Sequence, residues 1–276
     1  MDLITYHQFR KYITYNLAQI MESSEAISEG RRWLSEGLGL SLSWVVAHSD
    51  DVVPKDSIYK VESWLHRRRH GIPWSYIIGW APFLDRRYCV TPDTLIPRPE
   101  TEIMLEYAIK LGKELKVQCA CDVGTGSGVI AISTALETNW KVTATDVSMS
   151  ALYVARKNAI QLQANVEFYH GDLLKAVPDR IEFVISNPPY IDRDDELTLK
   201  KELTFEPKIA LFADDHGLAT INMILGQAFS RSARGCAIEI GSGQGNTLKS
   251  KALTIGWHNV EIHKDLSGHD RVLLAW

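Results

Sequence analysis

Apolar residues recur along the first part of the chain at the spacing of a helix face. Phe9, Tyr12, Ile13, Leu17 and Ile20 follow the i, i+3, i+4 rule that places side chains on one side of a helix. Ile27, Trp33, Leu34 and Leu38 do the same within a second segment, residues 25–38, which stops before Gly39. A third segment starts near Pro54, suited to a first helical turn, aligns Ile58, Val61 and Leu65, and ends at Gly71. The period breaks over residues 76–100. There Tyr76, Ile77, Ile78 and Gly79, then Phe83, Tyr88, Cys89 and Val90 among several prolines, read as short strands and turns. Beyond them the pattern alternates. Strands are predicted at 117–123, 141–146, 166–170, 181–186, 236–240, 260–263 and 271–276. Helices are predicted at 100–115, 127–137, 148–163, 218–229 and 246–254. Strands alternating with helices imply a mostly parallel sheet covered on both faces. The expected fold is α/β: a Rossmann-like domain with a mostly parallel seven-stranded sheet, preceded by a small helical bundle. The expected boundaries are a helical domain at 1–75, a hairpin-like linker at 76–92 and the α/β domain at 93–276.

Composition changes this picture little. A length of 276 residues favours two domains, and 45% hydrophobic with 23% charged residues is ordinary for a globular chain able to bury a core. No apolar run approaches the ~20 residues of a spanning helix. The first twenty residues, with His7, Gln8, Arg10 and Lys11, lack the apolar stretch of a signal peptide. Cys89, Cys119, Cys121 and Cys236 match neither a CxxC pair nor a zinc spacing, so they are expected as reduced packing residues of a cytoplasmic protein with no metal site. The basic run Arg67-Arg68-Arg69-His70 suggests nucleic acid at first sight. Residues 1–80, however, hold nine Lys/Arg against nine Asp/Glu, and cations in a last helical turn complement the helix dipole. A patch facing a partner is the other reading.

The first predicted strand of the second domain ends in Asp122-Val123-Gly124-Thr125-Gly126-Ser127-Gly128. Glycines let the backbone turn sharply and let a ligand approach closely. In an open α/β sheet, ligands bind at this end of the strands. The spacing is GxGxG, not the GxGxxG of a dinucleotide fingerprint, because Val129 follows Gly128. Asp122 would face a pyrophosphate unfavourably but suits a ligand carrying an ammonium. Asp146 ends the next strand 18 residues past Gly128, well placed for a ribose diol, and Gly171-Asp172 after the third adds an acceptor for an adenine amino group. Together these residues point to S-adenosylmethionine (SAM).

The fourth strand runs into Ser186-Asn187-Pro188-Pro189-Tyr190. Two prolines stiffen the backbone. They hold the Asn187 side-chain oxygen and the Pro188 carbonyl as two fixed acceptors for one planar –NH2 group, and Pro189 has no amide hydrogen to compete. Tyr190 offers an aromatic face for stacking. An amide nitrogen is a poor nucleophile; fixed acceptors favour the positive charge that grows on it during attack. A dedicated general base is not required by this chemistry.

These residues resemble the HemK/PrmC protein-(glutamine-N5) methyltransferases that modify peptide chain release factors. The likeness rests on Leu95-Ile96-Pro97-Arg98-Pro99-Glu100-Thr101-Glu102, on the Asp122 to Gly128 loop, on Asn187 to Tyr190, and on Phe205-Glu206-Pro207 followed by Ala210-Leu211. It implies a class I SAM-dependent methyltransferase acting on the glutamine of the Gly-Gly-Gln motif in class I release factors, which modulates translation termination. Cofactor contacts are expected at Asp122, Gly124, Thr125, Gly126, Ser127, Gly128, Asp146, Asp172, Leu173 and Asn187, with the substrate amide at Asn187, Pro188, Pro189 and Tyr190, of which Asn187, Pro188 and Tyr190 are the expected catalytic residues. The Pro97 to Glu102 segment would line the pocket. Relatives often carry an aromatic residue where Leu173 stands, so adenine stacking there is reduced. The helical N-terminal domain would dock the substrate or simply support the catalytic fold. The competing enzyme reading is a methyltransferase of exocyclic amines in DNA or RNA. Residues 81–276 hold 21 Lys/Arg against 25 Asp/Glu, which opposes stable nucleic-acid binding. A monomer is expected.

Overall fold

The computed structural model describes residues 4–178, 180–198 and 201–276. The chain divides into two compact units, Met1–Ile78 and Gly79–Trp276. The first is helical: α1 (Tyr6–Leu17), α2 (Ser23–Arg32), a π-helical turn (Trp33–Gly37), α3 (Leu42–Ala47), α4 (Lys55–Arg69) and α5 (Trp74–Ile78). Helix α1 begins with reciprocal bonds between Thr5 and Gln8 that satisfy two free amides. Its Phe9, Ile13 and Leu17 are fully buried, as the spacing predicts, whereas Ile20 and Ile27, expected on the same apolar faces, are exposed. Ile20 lies beyond the last turn of α1, so the helical period no longer aims it inward.

The arginine run serves the interior of this unit. Arg67 donates to the carbonyls of Ile77 and Tyr76, and Arg69 to Asn16 Oδ1 at 2.6 Å. Arg68, buried, forks onto Glu29 at 2.7 and 3.2 Å, and Trp33 Nε1 donates to the same carboxylate. Trp33 stacks on Trp74 with ring centres 4.9 Å apart. That packing makes residues 74–78 a helix, not the strand that Tyr76-Ile77-Ile78 suggested.

The second unit opens with a hairpin, β1 (Trp80–Phe83) and β2 (Arg86–Cys89). It is part of this unit's core: Phe83 and Tyr88 are buried there. Then follow α6 (Pro99–Glu114), β3 (Cys119–Val123), α7 (Val129–Glu137), β4 (Lys141–Asp146), α8 (Met149–Leu162), β5 (Val166–His170), β6 (Phe183–Ser186), β7 (Ile191–Asp192), α9 (Lys208–Leu211), β8 (Phe212–Ala213), α10 (Ala219–Ser230), β9 (Gly235–Glu239), α11 (Gly245–Ile255), β10 (Val260–Lys264) and β11 (Asp270–Ala275). Seven of the strands form one sheet in the order β10-β11-β9-β6-β3-β4-β5. β9, β6, β3, β4 and β5 run parallel; β11 is antiparallel to both neighbours. β7 and β8 form a separate short parallel pair that the sequence pattern did not reveal.

Alternation along each strand feeds two cores. Ala120, Phe183, Ile185, Val272 and Leu274 face α6 and α7, where Met104, Leu105, Ile130 and Ile132 pack. Cys121, Val123, Val184 and Leu273 face α10 and α11, with Ile221, Ile224 and Leu248. Strand order reverses beside β3: the chain proceeds outward to β4 and β5, then returns to β6 on the other side. The carboxyl ends of β3 and β6 therefore open a cleft, as switch points in such sheets do. Ser186 Oγ donates to the Val123 carbonyl at 2.7 Å and ties the two strand ends together.

Candidate active site

The cleft holds a cavity of about 340 Å³. The loop Gly124 to Ser127 forms one side, Asp146 and Gly171-Asp172-Leu173 the next, and Asn187-Pro188-Pro189 the third. Leu95, Pro97 and Thr101 close it from the segment that enters α6, and Arg193, Ile209, Ala210 and Phe212 to Asp214 contribute the outer wall. The volume lies within the ~300–1,000 Å³ of small-molecule sites.

The glycine loop is shaped by φ of +73° at Gly124 and +55° at Gly126, where an added Cβ would meet nothing but carry backbone strain. Gly128, also at positive φ, has another task. It does not line the cavity, and a Cβ there would lie 2.9 Å from Ile132 Cδ1 and 3.1 Å from Ala155 Cβ. Its absence of a side chain lets α7 pack on α8. Asp146 braces the loop: Oδ2 accepts from Gly126 N and Oδ1 from Ser148 N, both at 2.8 Å. Asn158, fully buried, adds a support not legible in the sequence. Its Nδ2 donates to the Ser127 carbonyl at 2.8 Å and its Oδ1 accepts from Cys89 N, joining loop to hairpin.

Asp122 is drawn back from the wall. Its Oδ2 accepts from Thr125 Oγ1 at 2.6 Å and from Ala131 N at 3.1 Å. With this one oxygen Asp122 holds the loop from beneath. Asp122 Oδ1 and Thr145 Oγ1 are buried polar atoms without a protein partner. Thr145 lines the cavity, and an unpaired carboxylate oxygen and hydroxyl at its glycine-loop side suit an ammonium-bearing ligand, so the residues present fit SAM. Asp172 lines the cavity while its Oδ2 accepts from Lys175 Nζ at 2.6 Å; Leu173, at φ +52°, lies beside it.

At the third side, Asn187 Nδ2 donates to Thr101 Oγ1 at 3.1 Å, and Thr101 Oγ1 donates to Glu239 Oε2 at 2.6 Å. Tyr190 OH donates to Glu239 Oε1 at 3.1 Å. Tyr190 is thus anchored through its hydroxyl at the base of the site, next to Asn187-Pro188-Pro189. Glu206 was read only as part of a motif. It accepts from Ile96 N at 3.0 Å and from Arg98 Nη2, fastening the segment that lines the pocket.

Gly217 presses on the same place from behind. Its φ is +81°, and a Cβ would fall 2.1 Å from the Tyr190 carbonyl oxygen. Gly217→Ala is expected to lower stability by about 1–3 kcal/mol through strain and overpacking. Urea denaturation measures it; an unchanged midpoint would mean the loop yields freely.

Two carboxyls at the base are held high. Burial pushes Asp122 up to about 7, with the Thr125 and Ala131 bonds opposing and Asp146 adding to the rise. Burial likewise pushes Glu239 up to about 7, opposed by its bonds from Thr101 and Tyr190 and by Arg271, with Glu100 adding to it. Between the ordinary carboxylate range near ~4 and about 7, the folded chain holds protons that the unfolded chain has released. The stability these groups confer therefore falls as pH rises through that window. The melting temperature of the ligand-free protein at pH 5, relative to pH 8, is expected to lose part of its advantage in Asp122→Asn. An equal difference in variant and wild type would contradict the assignment.

Two family models match the chain: the PrmC N-terminal domain over residues 8–79 and the methyltransferase small domain over 101–216. The chain is 40% identical over 237 residues to the release factor glutamine methyltransferase of Staphylococcus aureus, covering 83% of this chain and 84% of that protein. It is 33% identical over 278 residues to the protein of the same name from Vibrio cholerae, covering 99% and 96%. The chain belongs to the release factor glutamine methyltransferase family. Among solved structures, the hMettl16 catalytic domain in complex with a MAT2A 3'UTR hairpin aligns with a TM-score of 0.58 at 16% identity, over 82% of this chain and 84% of that one. A methyltransferase from Pyrococcus furiosus aligns with a TM-score of 0.53 at 18% identity, over 70% and 89%. At such identities the likeness is one of fold: the seven-stranded sheet is that of class I SAM-dependent methyltransferases. In this release factor glutamine methyltransferase family member, the expected family motifs thus meet in one cleft. Asn187, Pro188 and Pro189 lie across it from the glycine loop.

Proposed function

We propose that this chain transfers the methyl group of SAM to the side-chain amide nitrogen, N5, of the glutamine in the Gly-Gly-Gln motif of class I peptide chain release factors. The observation that carries it is the pairing of β3 with β6, which places the glycine loop beside Asn187-Pro188-Pro189. SAM supplies an electrophilic methyl group. The chain supplies place and polarity. Gly124 to Ser127, Asp146 and Asp172 hold the cofactor, with Leu173 covering its base. Asn187 Oδ1 and the Pro188 carbonyl accept both amide hydrogens of the glutamine. Orientation of the two reactants and stabilisation of charge growing on nitrogen make up the catalytic effect. The proton leaves after attack through these acceptors or water, with no dedicated base.

We assign docking of the release factor to the N-terminal helical unit, and we place the enzyme in the cytoplasm as a monomer without stable nucleic-acid binding. The net charge of −4 supports that last point. The deciding experiment incubates the protein with labelled SAM and a purified release factor, beside a copy with the motif glutamine changed to alanine. Label on the first alone supports the reading. Label on neither, with transfer to RNA or DNA, replaces it with the exocyclic-amine reading.

A further inference from the structure

Glu239 lies at the end of β9 and is 1% exposed, yet both its oxygens are engaged at the site. A carboxylate only accepts hydrogen bonds, and a threonine hydroxyl has one hydrogen to give. Thr101 Oγ1 gives that hydrogen to Glu239 Oε2 at 2.6 Å, and Tyr190 OH gives its own to Oε1 at 3.1 Å. Toward Asn187, Thr101 Oγ1 is left as an acceptor. The Asn187 atom 3.1 Å from it must then be the donor Nδ2, because the alternative would set two acceptors face to face. The two ends of an asparagine amide are alike in shape, so only such a network can tell them apart.

We propose that Glu239, acting through Thr101, fixes the direction of the Asn187 amide and keeps Asn187 Oδ1 available to the glutamine –NH2. Thr101 and Glu239 are positioning residues for the reaction, and the inference rests on the amide-methylation reading above. Glu239 stays off the cavity wall, so it works by polarity and not by taking a substrate proton. Without it, the hydroxyl of Thr101 is free to turn its hydrogen onto Asn187. The asparagine can then rotate and present its own –NH2 to the substrate –NH2.

The test uses the full-length protein at pH 8 with saturating SAM and release factor. Thr101→Val, which keeps the shape and removes the acceptor, is expected to lower kcat at least about 10-fold, while SAM affinity by calorimetry stays within about twofold. Thr101→Ser, which restores the hydroxyl, is expected to retain kcat within about threefold. Glu239→Gln, which can donate where the carboxylate only accepts, lowers kcat, and combining it with Thr101→Val adds no further loss because both break one chain. A separate reading is the ¹⁵N resonance of the Asn187 side-chain amide, identified by its disappearance in Asn187→Asp. Its hydrogens are expected to exchange faster in Thr101→Val than in Thr101→Ser. An unchanged kcat in Thr101→Val, a parallel loss of SAM binding, or equal exchange in the two variants overturns the inference. A wild-type protein that labels no release factor overturns the substrate reading instead.

Discussion

Asn187→Ala is expected to leave SAM binding nearly unchanged and to lower methyl transfer by about 100- to 1,000-fold. The size follows from what one pre-aimed polar group contributes when it stabilises charge that appears only in the transition state. Asn187 lines the cavity at the end of β6, and its Nδ2 is committed to Thr101. Alanine removes the acceptor facing the substrate and leaves the strand and both prolines in place. The glycine loop is braced independently by Asp146 and Asn158, so the cofactor side is undisturbed. Steady-state kinetics with a release factor, alongside calorimetric titration of SAM, separate the two effects. Equal losses in both would make Asn187 a cofactor contact first.

Asp146→Ala has the opposite signature. SAM affinity falls about 100-fold, or about 2.7 kcal/mol, while kcat at saturation changes much less. The carboxylate does two things at once. It accepts from Gly126 N and Ser148 N, which shapes the loop, and it lines the cavity with lone pairs to spare for a diol. Each hydrogen bond to a charged group contributes roughly 1.5–3 kcal/mol, so losing a ligand contact and some loop order together reaches the stated size. Asp146→Asn is expected to fall between, since one oxygen remains. A Kd that stays within threefold in Asp146→Ala would move the ribose to another part of the cleft.

What the sequence made legible was local chemistry. Glycines at positive φ, consecutive prolines and strand-length apolar runs carry their meaning within a few residues. The sheet, the Gly124 to Ser127 loop and the Asn187 to Pro189 turn were all readable for that reason. Long-range partners were not. Glu239 meets Thr101 across 138 residues, Glu206 meets Ile96 across 110, and Asn158 meets Cys89 across 69. Glu239 and Asn158 have nothing in their immediate surroundings to mark them, and the Phe205-Glu206-Pro207 motif marks Glu206 without naming its partner. The protein contacts of Asp122, Gly128 and Tyr190, toward loop, helix and Glu239, are equally invisible in the motifs that contain them. Residues 76–78 were misread because Tyr and Ile favour strands in isolation, and a stack of indoles at Trp33 and Trp74 outweighed that preference.

The outer wall of the cleft comes from one stretch of chain. Arg193, Pro207, Ile209, Ala210 and Phe212 to Asp214 all lie between β6 and α10, whereas the cofactor side is made of strand ends. The two halves of the cavity are therefore separable in heredity as well as in space. Exchanging those wall side chains, with Glu206 kept as the anchor of Ile96 and Arg98, is expected to alter which side chain can enter while the strand ends stay as they are.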